Sequence, residues 1–582
     1  MNSQAPRPST ASTAQPLTDL DAVDALGADL RAAGYDAVGV PSLLGASANG
    51  AMARGEFWPA LRATAAAPGP LATVVRLFLL GTSEPVAEVA AALPSLGVER
   101  AVVTGVLEPD GELLRAAVDI RPHAATDADG RADHEYLVVS DLDSDTRPGP
   151  VRHDHVLGIG AASMSLAGAV IRTPVRTALD LGTGCGIQAL HIGEHADSVV
   201  ATDTNPRALA LAAATARLNG QHWDLRSGSL FEPVAGQRFD LIVSNPPFVI
   251  GTGEQSYIYR DSGMAGDAVC EQLIRGIPEH LNPGGVATVL ANWLVFGDDD
   301  WRGRIGSWVG GTGCDAWVVQ REFADPAHYI SMWLADAGED RTTAARTGAE
   351  WLDYFERSGV RGIGMGVVTL RKLTDAEAAA RQPDQVLDEI TAAGEEVTGA
   401  AAEAFLAARR LLVTRSDDEL LDLRLRLAPD ALLTERSLAG HDGWTTVLRM
   451  LERQSPGAHL QLDDWGRSLL AGCTGQLPLR LLLELLAGAN GVDEAALTQA
   501  MLPTVRTAVG RGLLLVEDTS EGAAGAAADG ADGDGADDAA GAGADGDGDG
   551  AGAGAAAGTN DADGDGAAGR SGTGTSPGPV AE

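Results

Sequence analysis

The 582-residue chain is short of cysteine, aromatic residues and positive charge. Its four cysteines, Cys185, Cys270, Cys314 and Cys473, lie far apart with no CxxC pair, which excludes a disulfide framework and argues against a zinc site. Reduced thiols fit a cytoplasmic location, and that is the expectation here. Basic residues number 42 against 81 acidic ones, for a formal net charge of −39. Fifteen of the acids and one of the basic residues follow Val516, so the acidity is spread along the chain and no basic block offsets it. This weighs against a broad electrostatic footprint on nucleic acid and leaves room only for a local patch. No apolar run reaches the roughly 18 residues of a membrane span. The first seventeen residues, rich in Ser, Thr, Pro and Ala, also lack the apolar stretch of a secretory signal. Neither a membrane partner nor export is expected.

Apolar content is ordinary at 45%, in a chain too long for one core. Residues 1–17 read as a disordered leader. Between 18 and 150, PLATVVRLFLLG (70–81), PVAEVAAALP (85–94) and SLGVERAVVTGVL (95–107) are short amphipathic helices, and ELLRAAVDIRPH (112–123) opens a hairpin-like pair of strands. That is a winged-helix pattern. Its would-be recognition helix carries Glu99 beside Arg100 and little positive charge, so packing on a neighbour is favoured over nucleic-acid contact. From 151 to 372, strands (176–181, 198–203, 223–226, 239–244, 284–293, 316–322, 364–372) alternate with helices (187–195, 206–220, 267–281), with a helical insertion before the last strand. Repeated βα units imply the α/β class and a Rossmann-like, doubly wound, mainly parallel sheet. Residues 373–516, rich in Leu, Ala and Arg, read as a mainly helical domain, either a helical cap or a second winged-helix-like module. Residues 517–582 are nearly all Gly, Ala and Asp, with nothing to bury, and read as a disordered acidic tail. Asp545, Asp547, Asp549 and Gly550 match half of an EF-hand loop, but position 12 is Ala556, so no metal is expected.

Chemistry collects at three strand ends. Asp180-Leu181-Gly182-Thr183-Gly184-Cys185-Gly186 follows a strand and opens a helix, where glycines let the backbone turn sharply and approach a ligand. Asp203 ends the next strand, 23 residues after Asp180, where a carboxylate can accept both hydroxyls of a ribose or can cap the following helix. The run FDLIVSNPPFV (239–249) begins as a buried parallel strand and stops on Asn245-Pro246-Pro247-Phe248: an amide, two prolines that cannot continue a ladder, and a ring.

In order and spacing these motifs resemble the class I S-adenosylmethionine-dependent methyltransferases with a small methyltransferase domain and an (N/D/S)PP(Y/F/W) motif, over about Val156 to Trp293. The resemblance implies S-adenosyl-L-methionine as cofactor, with Asp180, Gly182, Gly184 and Gly186 at its methionine end, Asp203 on its ribose and Ser229 near the adenine, where relatives often have Asp. It implies that Asn245, Pro246, Pro247 and Phe248 hold a planar nitrogen. The Asn245 side-chain oxygen and the Pro246 carbonyl would accept its N–H groups while Phe248 stacks on the flat group. Within the family the chain looks most like HemK-type enzymes that methylate a glutamine side chain in peptide release factors. DLGTGCG, FDLIVSNPPF and DSGMAGDAVCEQLIRGIPEHLNPGG (261–285) carry that likeness. It departs in having Phe248 rather than Tyr and in both flanking domains. The alternative substrate is a nucleobase in rRNA, tRNA or DNA, so the implied partner is a macromolecule of either kind. A non-catalytic cofactor-fold scaffold is the remaining reading.

Three smaller features complete the inventory. Ser163 and Ser165, in the stretch before the first strand of the alternating region, are candidates to close over the cofactor or to cap a helix. His191-Ile192-Gly193-Glu194-His195 matches HxxEH, with its histidines four apart if the helix continues, but it directly follows the glycine loop and no third ligand is evident. Six of the ten Trp fall between Trp293 and Trp351 and are expected in the core.

Overall fold

The structure, a computed structural model, describes residues 16–517 apart from 127–131, 144–145, 148–150, 252, 254–256, 260, 337–340 and 442. The leader up to residue 15, the acidic tail from 518 and the half EF-hand at Asp545 lie outside the described residues. Leu17, assigned to the leader, is fully buried and its N–H donates to the Thr104 carbonyl at 2.8 Å. Its apolar side chain finds a core that composition alone did not reveal.

The apolar, β-branched runs between 175 and 389 form one eight-stranded sheet. Its spatial order is Gln385–Glu389, Cys314–Ala324, Val360–Lys372, Leu281–Phe296, Phe239–Ser244, Val175–Leu181, Ala196–Asp203, Trp223–Ser227. The five strands from Leu281–Phe296 to Trp223–Ser227 are mutually parallel, and Val360–Lys372 runs antiparallel to both its neighbours. Side chains of a strand alternate between faces. In Phe239–Ser244, Leu241 and Val243 join one apolar cluster with Leu166 and Ile192, while Ile242 joins the other with Leu273 and Ile277. Helices therefore cover both faces, as buried parallel strands require. Trp293, Trp301, Trp308, Trp317 and Trp351 are all buried.

The sheet runs past the boundary expected at 372, because Gln385–Glu389 pairs in parallel with Cys314–Ala324. The helix Gly399–Thr414 also packs on it, with Phe405 stacked on Trp317 at 4.5 Å. Beyond it, the C-terminal region keeps helices at Asp464–Gly472, Leu479–Asn490 and Glu494–Gly510. It adds two three-stranded sheets, Thr474–Pro478 with Arg424–Leu427 and Leu514–Val516, and Leu432–Gly440 with Gly443–Glu452 and His459–Gln461; of these strands the sequence suggested only Leu514–Val516, in RGLLLVE (511–517). The second sheet is mostly exposed, so its strands lack the apolar alternation that betrays a half-buried strand.

The N-terminal region has the winged-helix order: helix Pro70–Phe78, strand Glu84–Pro85, helices Val86–Ala92 and Val98–Val103, then strands Leu107–Asp110 and Leu113–Ala116, with Leu113–Ala116 central in the sheet. Arg100 is tied to Asp19 at 2.7 Å. A further hairpin, Asp119–Thr126 with Ala132–Ser140, joins this region to the large sheet's helices. Asn219, at the end of helix Pro206–Leu218, accepts from the Leu137 N–H at 2.9 Å and donates to the Leu137 carbonyl at 2.8 Å, while Thr215 Oγ1 accepts from the Val139 N–H. His123 Nε2 lies 3.1 Å from His191 Nε2, and burial lowers both imidazoles, His191 to about 3, so this contact is between neutral rings. The helix bearing His191 ends at Ile192, which places His195 off that helical face. Among the described residues no group of three or more His, Cys, Asp or Glu side chains is arranged to hold a metal, and no helix is long and apolar enough to cross a membrane.

Removing the Asn219 amide leaves the Leu137 backbone groups unpaired, at about 1–3 kcal/mol for a buried group. In Asn219→Ala, hydrogen exchange at the Leu137 amide should quicken by about tenfold or more. Unchanged exchange would mean that the hairpin does not depend on this clasp.

Candidate active site

The strand order reverses between Val175–Leu181 and Phe239–Ser244, since the chain leaves these neighbours toward opposite edges of the sheet. Ligands of open α/β sheets bind outside the carboxyl ends at such a point. Leu181 and Ser244 are register partners, and the Ser244 hydroxyl donates to the Leu181 carbonyl at 2.7 Å. The glycine loop and Asn245 therefore begin at the same level on adjacent strands.

Gly182, Gly184 and Gly186 have φ of 81°, 56° and 87°, the left-handed region that glycine enters at no steric cost. Gly182 and Gly184 line a cavity of about 1030 Å³, at the upper end for ligand pockets. Asp180 and Gly186 are not among its lining residues. Asp180 is fully buried beneath the loop, where Oδ2 accepts from Thr183 Oγ1 at 2.6 Å and from the Ala189 N–H at 3.1 Å. It braces the loop against the helix that follows. A Cβ on Gly186 would sit 2.6 Å from the Trp223 ring, so this glycine serves packing. Asp203 is half-buried, and its two oxygens accept from the Gly184 and Asn205 N–H groups at 2.9 and 2.8 Å. Burial raises its carboxyl. Asn205, not Asp203, caps the next helix, accepting from the Arg207 N–H at 3.0 Å. Each Asp203 oxygen keeps a lone pair for a ligand hydroxyl.

Asn245, Pro246 and Pro247 line the same cavity. The Asn245 Oδ1 is buried and has no partner among the described residues, an acceptor in need of a donor. Phe248 is not among the lining residues; its ring packs among apolar neighbours, edge-on to Trp333 at 6.1 Å. Ser229 stands exposed on the lining, between Gly228 and a Leu230 held at φ 45°. Ser163 lines the cavity while bonding to Gly160 as a helix cap, and Ser165 instead bonds Arg321. Cys185 also lines the cavity, but burial pushes its thiol up to about 12, so it stands there protonated and unreactive.

The sequence reading missed the opposite wall. Asp119 and Arg121 come from the hairpin of the N-terminal region, Asp141 from the residue just after it, His155 from the linker, and Tyr259 from the loop after Asn245. The Ile258 N–H donates to the His153 carbonyl at 3.1 Å and the His155 and Tyr259 rings meet edge-on at 5.7 Å, bringing linker and loop together over the cavity. Asp141 binds the Arg207 guanidinium through both oxygens and accepts from the Val156 N–H. Only the stretch His153–Ala167 drew notice in the sequence; the hairpin carries no motif.

The described lining holds four carboxylates, Asp119, Asp141, Asp143 and Asp203, and one Arg or Lys, Arg121. These acceptors and the one cation suit a ligand bearing positive charge, hydroxyls and a carboxylate, and S-adenosylmethionine has all three.

Residues 158–295 match the family described as methyltransferase small domain. This segment is a class I methyltransferase domain. On either side, 32–117 and 403–516 match families described as domains of unknown function. A release factor glutamine methyltransferase of Geobacter sulfurreducens is 39% identical over 120 residues, covering 18% of this chain and 42% of that protein. A ribosomal RNA small subunit methyltransferase C of Klebsiella pneumoniae is 31% identical over 160 residues, covering 27% and 42%. Among solved structures, a T. thermophilus 16S rRNA N2 G1207 methyltransferase in complex with AdoMet and guanosine aligns at 16% identity and TM-score 0.25, over 46% of this chain and 57% of that one. The chain thus spans less than half the length of these two curated relatives. The methyltransferase domain contains the glycine loop, Asp203 and Asn245, whereas the hairpin wall lies outside it.

Burial holds the Asp180 carboxyl up to about 7 against an ordinary 3.8, so between these values the folded chain keeps a proton that the unfolded chain has released. Stability from this group is therefore lost as pH rises through that window. Asp180→Asn should flatten the decline, read as denaturation midpoints at pH 5 and pH 7; an equal slope in the variant would remove Asp180 as its source.

Proposed function

We propose that the chain is an S-adenosylmethionine-dependent N-methyltransferase acting on a planar sp2 nitrogen, the side-chain amide of a protein glutamine of the release-factor type. The observation that carries this reading is the unpartnered Asn245 Oδ1 at the switch point, beside Gly182 and the Pro246 wall. The cofactor would supply a methyl group on a positively charged sulfonium: as the N–CH3 bond forms the S–CH3 bond breaks, the neutral thioether leaves, and the proton shed by the nitrogen passes to solvent. Gly182 and Gly184 would bring their backbone close to its methionine end and Asp203 would take its ribose hydroxyls.

An amide nitrogen is a poor nucleophile because its lone pair is delocalised. Asn245 Oδ1 and the Pro246 carbonyl, accepting one N–H each, would fix that nitrogen with its π face toward the methyl. Orientation of this kind lowers the barrier without a strong base. The buried Asn245 oxygen would gain the donor it lacks, which also selects nitrogen over an acceptor that carries no hydrogen. The likeness to glutamine methyltransferases and the scarcity of cations on the lining support glutamine over a base held on a phosphate backbone.

Asn245→Ala should lower the transfer rate by about 100-fold or more while cofactor affinity is largely kept; an active variant would refute the role. To identify the acceptor, lysate of a deletion strain is incubated with the protein and methyl-labelled cofactor. Protease-sensitive label is expected, and nuclease-sensitive label would overturn glutamine in favour of a nucleobase.

A further inference from the structure

We infer that the foot of the hairpin Asp119–Thr126/Ala132–Ser140 is a clamp for an α-amino-acid zwitterion, with Arg121 taking the carboxylate and Asp119 the ammonium. The inference rests on the cofactor reading above, since S-adenosylmethionine ends in such a group. It assigns cofactor recognition to the N-terminal region, outside the methyltransferase domain.

Both residues line the cavity, and Arg121 is the one Arg or Lys among its described lining residues. They stand two apart on one strand, which puts both side chains on the same face and their polar heads side by side. Asp119 is 3% exposed; its Oδ2 accepts from Arg121 Nη2 at 2.8 Å, and its Oδ1 is buried without a partner among the described residues. A buried carboxylate oxygen with no donor is costly unless a ligand completes it. The ion pairs of Arg121 run through Nη2 alone, to Asp119 and, at 3.9 Å, to Asp143. Its Nε–H and Nη1–H groups have no acceptor among the described residues, and one of them together with the second Nη2–H makes the planar two-donor edge that matches a carboxylate. Burial holds the Asp119 carboxyl up to about 6, as expected where donors fall short.

The pair is also at the right end of the cavity. Asp119 lines the same cavity as Gly182, Gly184 and Cys185 of the glycine loop. Its register partner Ser140 places Oγ 2.7 Å from where a Cβ on Gly158 would stand, so the hairpin foot meets the linker segment that enters the methyltransferase domain. An amino-acid group beside Gly182 and Gly184 therefore has Asp119 and Arg121 within the same chamber.

The test is calorimetry on the full chain with two probes: S-adenosylhomocysteine, which carries the amino-acid end, and 5′-methylthioadenosine, the same nucleoside thioether without it. The unaltered protein should prefer S-adenosylhomocysteine. In Arg121→Gln that affinity should fall by about tenfold or more, the size of a charge-assisted pair, with 5′-methylthioadenosine binding changed less than about twofold. Arg121→Lys, which keeps the charge but not the fork, should fall between. An equal loss for both probes would show that Arg121 only supports the wall, and no loss for either would show that it does not face the ligand. Each result overturns the clamp while leaving the cofactor reading intact. If the unaltered protein binds neither probe, the cofactor reading fails and the clamp with it.

Discussion

Two parallel strands whose chains depart in opposite directions cannot both be roofed by their own connections. At Leu181 and Ser244 this leaves an opening between level strand ends, and the backbone beyond each must turn at once. The left-handed glycines 182, 184 and 186 make one turn, and Pro246-Pro247 ends the other by removing ladder donors. The cavity is the space the two turns leave, and Asp203 on the next strand ties its floor together through the Gly184 amide. Asp180 holds this arrangement from below, bonded to Thr183 and Ala189 and sealed from water.

A crevice at the edge of a sheet is open on its far side, and here the N-terminal hairpin and the linker close it. The hairpin is seated by the Asn219 clasp, by the neutral His123–His191 contact and by the buried Asp141–Arg207 pair. The apolar core of the N-terminal region runs without a break into the methyltransferase helices through Ile187, Leu190 and Leu211. The winged-helix-like part is thus built into the wall of the site. With Arg100 engaged by Asp19, the helix that would read a nucleic acid in such a fold presents little free charge.

Polarity inside the cavity follows from the same construction. Three of its four carboxylates come from the hairpin and the turn after it, and the fourth from a strand end. Asp141 is answered by Arg207, whereas Asp119 has one oxygen unanswered, as does the Asn245 amide. Both of these unanswered oxygens belong to residues that line the cavity.

The linear order of residues by itself determined the α/β class, the winged-helix order of the first region and the strand ends bearing the glycine loop, Asp203 and Asn245. These are local signals: an apolar run, a glycine where φ turns positive, a proline where a ladder must stop. Which of those residues line the cavity was a matter of tertiary structure. Asp180, Gly186 and Phe248 share the motifs of their neighbours but lie off it: Asp180 is buried beneath the loop, Gly186 stands against the Trp223 ring and Phe248 packs among apolar side chains. The strands Leu432–Gly440 and Gly443–Glu452 went unread because their mostly exposed faces lack apolar alternation. Asp119, Arg121 and Asp141 carry no motif, and sixty residues of chain separate Asp119 from the glycine loop they face. Only the docking of one core onto another brings them there, and short-range pattern does not encode a distance that long.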